Sequence, residues 1–141
     1  VIAVQDVPRE QTRSYGIVAT TAWGDCDNRI GSIVEKPAPE QAPSTLAVVG
    51  RYVLPPQIFA KLESQAPGSG GEIQLTDGIA ALLADHPVLA HRFAGRRFDC
   101  GSRIGLVEAT IQFALEHDDL AEDARRYMRS ALQQYDTSGG V

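Results

Sequence analysis

The chain has 141 residues, of which 43% are hydrophobic and 22% charged, and its formal net charge is −5. This composition is typical of a globular domain with a hydrophobic core. Thirteen Lys and Arg against eighteen Asp and Glu argue against binding to nucleic acid or to anionic lipid, and no apolar run approaches the ~20 residues of a membrane span. We therefore expect a cytoplasmic protein with no nucleic-acid or membrane partner.

The first part of the chain predicts β-strands. Strand-forming residues fill positions 1–5, 15–23, 30–36 and 44–54. The second and third of these strands flank the turn sequence GDCDN and predict a hairpin, whereas the prolines of PAPEQAP exclude regular structure from 37–43. Loop signals fill the segment before Tyr15. Gly50 lies inside an apolar strand and indicates either a bulge or a close approach of the backbone.

Helices dominate the second part. Apolar periodicity predicts helices at 55–64, 72–85, 103–117 and 120–134, and a strand or hairpin at 88–98. Ser102 is a candidate N-cap for the third helix, whose predicted apolar stripe includes Ile104, Val107, Ile111 and Ala114. The sequence thus predicts an α/β or α+β domain over residues 1–134, followed by a flexible tail at 135–141.

Conventional catalytic motifs are missing from the sequence. The three histidines, His86, His91 and His117, have neither metal-ligand spacing nor a nucleophile in a recognisable elbow. The PGSGGE segment lacks the G-x-G-x-x-G pattern of a dinucleotide loop. Cys26 and Cys100 are far apart and predict reduced thiols. A hydrolase triad, a zinc site and a self-contained nucleotide loop are therefore not expected.

Four short stretches remain as candidates for a site: Tyr15-Gly16, Glu35-Lys36-Pro37, the EIQLTD segment at 72–77, and FDCGS at 98–102. Each has an ordinary structural explanation, since glycines precede strands, charges end them, and acids begin helices. Spacing alone does not separate these explanations from a functional role.

As an ordered set, the stretches YGIV, IVEKP, AVVGRYVL, GGEIQLTD and FDCGS resemble the C-terminal half of bacterial UTP–glucose-1-phosphate uridylyltransferases, in the sugar-phosphate nucleotidyltransferase superfamily. The resemblance extends from Val1 to about Gln134. The GSGG that precedes EIQLTD and the cysteine at position 100 favour the uridylyl branch, because thymidylyl relatives typically have Leu-Asp-Thr-Gly there.

The resemblance implies a Rossmann-like α/β fold with a mixed sheet and C-terminal helices. It also implies a Mg²⁺-dependent reaction of UTP with glucose 1-phosphate that gives UDP-glucose and pyrophosphate. Lys36 matches the family's phosphate-binding catalytic lysine, and Asp99 matches a Mg²⁺ carboxylate. The residues that match or border the sugar site are Gly16, Glu35, Lys36, Val49, Gly50, Glu72 and Gln74. Asp77 is a further member of that border, and for Glu72, Gln74 and Asp77 a purely structural role is the alternative.

The family's nucleotide-binding Gly-rich loop and its other metal-binding Asp have no counterpart in the sequence. We therefore expect a piece of a longer enzyme, inactive and a poor Mg²⁺ binder by itself. The alternatives are a non-catalytic sugar-phosphate-binding or assembly module, or a thymidylyl- or adenylyltransferase of the same superfamily. The resemblance also implies a homo-oligomer, a dimer or tetramer, in which Tyr127, Met128 and Leu132 either form contacts or pack on the sheet.

Overall fold

The structure, a computed structural model, describes residues 1–23, 26–68 and 71–137. Its strands are β1 (Ile2–Asp6), β2 (Gly16–Trp23), β3 (Cys26–Glu35), β4 (Leu46–Tyr52) and β5 (Ala90–Arg92). Its helices are a 3₁₀ helix (Arg9–Ser14), α1 (Gln57–Glu63), α2 (Leu75–Leu82), α3 (Arg103–Glu116) and α4 (Ala121–Thr137). The described chain divides into two compact units, residues 1–94 and 95–141, and each is considered by itself.

The first unit is built on one mixed sheet with the strand order β3-β2-β4-β1-β5. The β1–β5 pair is parallel, and the other neighbouring pairs are antiparallel. The predicted α/β class with a mixed sheet is therefore confirmed. The predicted β2–β3 hairpin is also confirmed, although β3 begins at Cys26, inside the expected turn. The turn residues 24 and 25 lie outside the described part.

Three sequence expectations differ from the structure. Residues 9–14, expected as loop, form the 3₁₀ helix, which has no apolar periodicity that could have predicted it. The segment 88–98 contains only the three-residue strand β5. Helix α4 continues to Thr137, three residues beyond the predicted boundary, and residues 138–141 lie outside the described part.

The core of the first unit lies between the sheet and helices α1 and α2. Its fully buried side chains include Ile2, Ile30, Ile79 and Leu82, and Ile58 of α1 packs with them. The helix predicted over 72–85 is shorter in the structure, and its buried side chains include Ile79 and Leu82. This packing fixes α2 against the sheet, where α2 contacts β3.

The second unit contains α3 and α4, which contact each other. Ser102 caps α3 as predicted, because its hydroxyl oxygen accepts a hydrogen bond from the Gly105 amide at 3.1 Å. The predicted apolar stripe of α3 is wrong as a buried face: Ile104, Val107 and Ile111 are exposed, and the buried residues are Gly105 and Ala109.

The residues predicted for subunit contacts are mostly exposed as well. Tyr127 and Leu132 of α4 are exposed, and Met128 is half-buried. Their role in an oligomer stays a prediction. Over the described ranges, no helix combines the length and hydropathy that a bilayer span requires.

Candidate functional site

The end of the β2–β3 hairpin places two of the predicted site residues opposite each other. Gly16 begins β2 and pairs with Glu35, the last residue of β3. The backbone amide of Lys36 donates a hydrogen bond to the Tyr15 carbonyl at 3.0 Å, so the pairing continues one residue past the strand. Sequence reasoning predicted the hairpin but not this register, which brings Gly16 and Glu35 together.

Lys36 lies in the left-handed region of backbone conformation, with φ of 44°. A non-glycine residue at positive φ is uncommon and costs free energy, which surrounding contacts must offset. On one side the Lys36 amide is bound to Tyr15, and on the other the Thr12 hydroxyl, 2.9 Å from the Arg9 carbonyl, lies 3.3 Å from the Pro37 carbonyl and shares its one proton between them. Thr12 is fully buried in the 3₁₀ helix. These contacts fix the backbone at the strand end and direct it out of the sheet.

The side chains of Glu35 and Lys36 differ in burial. The Lys36 side chain is 60% exposed and that of Glu35 only 21%, with 3.6 Å between Lys36 Nζ and Glu35 Oε1. Because this pair is long and its lysine is solvated, it adds little to stability. An exposed ammonium beside a partly buried carboxylate is suited to a ligand that has both hydroxyl groups and a negative charge.

The second oxygen of Glu35 has a closer partner that the sequence analysis missed. Thr76 Oγ1 donates a hydrogen bond to Glu35 Oε2 at 2.6 Å. Thr76 is 9% exposed and lies in the first turn of α2. The available signal was its position: it precedes the buried Ile79 and Leu82 at helical spacing, so a hydroxyl faces the core side of the helix.

Gly16 lies directly against this hydrogen bond. A Cβ atom built on Gly16 would be 3.2 Å from Thr76 Oγ1 and 3.3 Å from Glu35 Oε2. Both distances are shorter than an ordinary contact of at least 3.4 Å. Position 16 therefore has little room for a side chain, because the carboxylate and the hydroxyl pack directly on the buried Gly16.

Tyr52, at the end of β4, is a further neighbour that was not predicted. Partial burial, and in second place the negative charge of Glu35, raise the pKa of the Tyr52 phenol above its usual value of 10.0. The phenol therefore stays protonated through the neutral range and can donate a hydrogen bond near Glu35.

The other residues predicted for the sugar site lie on β4 and before α2. Gly50 has φ of 76° and lies where the β1–β4 register shifts, so it marks a bulge, and no atom lies within 4 Å of its hypothetical Cβ. Val49 beside it is half-buried. The Glu72 carbonyl accepts from the Gly68 amide at 2.9 Å, and the Gln74 carbonyl accepts from Gln65 Nε2 at 3.0 Å. These contacts order the loop before α2, and the ligand roles of the four predicted residues stay predictions.

Asp99 belongs to the second unit. Its exposed carboxylate accepts a hydrogen bond from the Gly101 amide at 3.2 Å, and its carbonyl accepts from the Ser102 amide at 3.1 Å. Gly105 is packed against this turn so closely that its hypothetical Cβ would be 2.1 Å from the Asp99 carbonyl oxygen. One exposed carboxylate fits a Mg²⁺ site whose other ligands are phosphate and water. In the part of the chain that the structure describes, no cluster of three or more His, Cys, Asp or Glu residues could hold a metal alone.

Several known proteins are similar to this chain. A family model described as nucleotidyl transferase matches residues 1–115. A UTP–glucose-1-phosphate uridylyltransferase of Pseudomonas aeruginosa is 50% identical over 110 residues, which are 78% of this chain and 39% of that protein. The corresponding protein of Streptococcus pneumoniae is 45% identical over 128 residues, which are 90% of this chain and 43% of that protein.

Solved structures of similar enzymes also align with this chain. A UDP-glucose pyrophosphorylase in complex with UDP-glucose aligns with a TM-score of 0.75 and 38% identity, over 82% of this chain and 44% of that one. A UTP-bound enzyme from Acinetobacter baumannii aligns with a TM-score of 0.73 and 40% identity, over 90% and 44%. The chain thus spans about two fifths of the length of the relatives that it matches.

Proposed function

The chain belongs to the nucleotidyl transferase family, and from this premise we propose that it forms the sugar-phosphate side of the active site of a UTP–glucose-1-phosphate uridylyltransferase. The observation that best supports the proposal is the arrangement at the hairpin end. There a Glu35 carboxylate, bound by Thr76 and packed on the buried Gly16, lies beside the exposed Lys36 ammonium. That the chain corresponds to the C-terminal half of such an enzyme stays a prediction.

The proposed reaction explains why no nucleophile is arranged in this chain. A phosphate oxygen of glucose 1-phosphate attacks the α-phosphorus of UTP, the new P–O bond forms, and pyrophosphate leaves. Because the substrate supplies the attacking oxygen, the protein contributes position and charge. The three histidines are at most half-buried and none is part of the site, which agrees with this requirement.

In this proposal Glu35 and Lys36 have separate tasks. Glu35 accepts hydrogen bonds from glucose hydroxyls, and a hydrogen bond to a charged group contributes roughly 1.5–3 kcal/mol. Lys36, through its exposed ammonium, neutralises phosphate charge. The left-handed conformation of Lys36 directs these neighbouring side chains to one ligand, because the strand ends between them.

A divalent metal supplies further charge neutralisation at the phosphates, and we propose Mg²⁺. Asp99 would provide one carboxylate ligand from its turn before α3. The remaining ligands would come from substrate phosphates, water and residues of the complete enzyme.

The experiment is a pyrophosphate-release assay on the full-length chain with UTP, glucose 1-phosphate and Mg²⁺. The Lys36→Ala variant is expected to lose at least about a hundredfold in kcat/KM, the scale of removing one group that stabilises transition-state charge. Lys61→Ala is the matched control, because Lys61, the other lysine in the chain, forms a surface pair with Asp85 at 2.6 Å. Turnover with dTTP or ATP but none with UTP would refute the uridylyl assignment, and equal activity of the two lysine variants would refute the role of Lys36.

A further inference from the structure

We propose that Thr76 is a positioning residue for Glu35: its hydroxyl holds the carboxylate in the orientation that receives the glucose ring. This inference rests on the proposed function and extends it to Thr76, a residue of the EIQLTD stretch to which the sequence assigned no role. Its basis is the 2.6 Å hydrogen bond between Thr76 Oγ1 and Glu35 Oε2, which joins residues 41 positions apart.

Helix α2 fixes the donor. Thr76 lies in the first turn, and its helix is anchored by Ile79 and Leu82, both fully buried in the core. A threonine side chain has few rotamers in a helix because its Cβ is branched. The position of the hydroxyl is therefore set by packing of the helix on the sheet, and a rigid donor restricts the acceptor that it binds.

The acceptor needs such a donor. The Glu35 side chain is only 21% exposed, and a partly buried carboxylate requires hydrogen bonds to replace lost water. Thr76 binds Oε2, whereas Lys36 lies nearest to Oε1 at 3.6 Å, so the two oxygens have different partners. A carboxylate has about four acceptor positions. One hydroxyl therefore fixes the plane of the group and leaves acceptor positions for a ligand.

Gly16 lies against the same pair. Its hypothetical Cβ would lie within 3.3 Å of both the hydroxyl and carboxylate oxygens, so the lack of a side chain at this buried position lets the hydrogen bond pack directly on the backbone. We define Gly16, Glu35 and Thr76 as the acceptor cluster. It combines an end of β2, an end of β3 and the first turn of α2.

The test compares three variants of the full-length enzyme. Thr76→Val removes the hydroxyl and keeps the shape, and Thr76→Ser keeps the hydroxyl and removes the methyl group. Thr45→Val is the matched control, because the Thr45 hydroxyl also donates to a carboxylate, that of Asp6 at 3.4 Å, on the exposed surface. KM is measured separately for glucose 1-phosphate and UTP, together with kcat and the melting temperature.

Thr76→Val is expected to raise KM for glucose 1-phosphate about tenfold and to change KM for UTP less than about twofold, because only the sugar contact is lost. Thr76→Ser and Thr45→Val are expected to stay within about threefold of the wild type. If Thr76 had only a structural role, Thr76→Val would lower the amount of active enzyme but would leave the KM values for glucose 1-phosphate and UTP unchanged. Equal KM values for glucose 1-phosphate in folded Thr76→Val and wild type would overturn the inference. If Thr76→Val does not fold, Thr76→Ala has the same expected result.

A spectroscopic readout separates this inference from the proposed function. The ¹³C resonance of the Glu35 side-chain carboxyl is expected to move in Thr76→Val and to return towards the wild-type position in Thr76→Ser, without any substrate. If wild-type enzyme shows no turnover of UTP and glucose 1-phosphate, the proposed function fails, and the carboxyl resonance still decides whether Thr76 orients Glu35. An unchanged resonance in Thr76→Val would overturn the positioning role even in an active enzyme.

Discussion

The substitution Gly16→Ala is expected to change the free energy of unfolding only slightly and the affinity for glucose 1-phosphate strongly. The added methyl carbon would lie 3.2 Å from Thr76 Oγ1 and 3.3 Å from Glu35 Oε2, so both atoms must yield by a few tenths of an ångström. Overpacking of this kind costs about 1 kcal/mol at the mild end of its range. Gly16 has no positive φ, and replacing glycine at a compatible position recovers about 0.4–1 kcal/mol from the unfolded state. The free energy of unfolding should therefore change by less than about 1 kcal/mol.

Ligand binding should respond much more strongly. The methyl group would press on the hydrogen bond that orients the Glu35 carboxylate and would displace that carboxylate. We expect the affinity for glucose 1-phosphate to fall at least about tenfold, which corresponds to roughly 1.4 kcal/mol. Urea unfolding and isothermal titration on the same protein samples measure the two effects.

Gly31→Ala is the control for this experiment. Gly31 is exposed on β3, and its hypothetical Cβ would lie 2.8 Å from Thr21 Cγ2, a tighter contact than either one at Gly16. This variant should lose at least as much stability and keep its affinity for glucose 1-phosphate. Unchanged affinity in Gly16→Ala, or equal losses of affinity in both variants, would refute the reasoning about the acceptor cluster.

Three further predictions concern pH, packing and the metal. The raised pKa of Tyr52 contributes stability that is complete below the usual pKa of 10.0 and is lost as the pH rises through the pKa of the folded state. Glu35→Gln should lower the Tyr52 pKa towards 10.0 without reaching it, because burial still raises it, and a tyrosine-absorbance titration measures this change. An unchanged pKa would contradict the contribution of the Glu35 charge. Gly105→Ala should lower the melting temperature, because its Cβ would meet a backbone oxygen at 2.1 Å. Gly78→Ala should lower it less, because its Cβ would meet the Leu62 side chain, which can shift more easily than backbone; equal melting temperatures for the two would contradict this expectation. Asp99→Asn can keep the hydrogen bond from the Gly101 amide, so the turn should stay intact. We expect this variant to reduce Mg²⁺-dependent turnover on the order of a hundredfold or more. Near-wild-type activity with an unchanged circular dichroism spectrum would show that Asp99 is not a metal ligand.

Local sequence signals predicted the elements that local physics determines. The β2–β3 hairpin follows from two runs of strand formers around a polar turn, and Ser102 caps α3 because a hydroxyl before a helix satisfies a free amide. Gly50 was predicted to mark a bulge or a close approach, and its positive φ and the register shift identify the bulge.

The contacts that define the candidate site could not be predicted in the same way. Thr76 and Glu35 are 41 residues apart, so their hydrogen bond depends on how α2 packs on the sheet. The 3₁₀ helix that holds Thr12 beneath Pro37 has no apolar periodicity, so it was expected as loop. The exposure of the apolar stripe of α3 could not be predicted, because periodicity shows that a helix has an apolar face but not whether another element of the described chain covers it.

The most direct test of the central claim is a crystal structure of the full-length enzyme with glucose 1-phosphate bound. We expect a glucose hydroxyl within about 3 Å of a Glu35 carboxylate oxygen, and the phosphate next to the Lys36 ammonium. We also expect the hydrogen bond from Thr76 to Glu35 to be retained in the complex. Glucose 1-phosphate bound productively elsewhere, with no contact to Glu35 or Lys36, would show that these residues do not form the sugar-phosphate site.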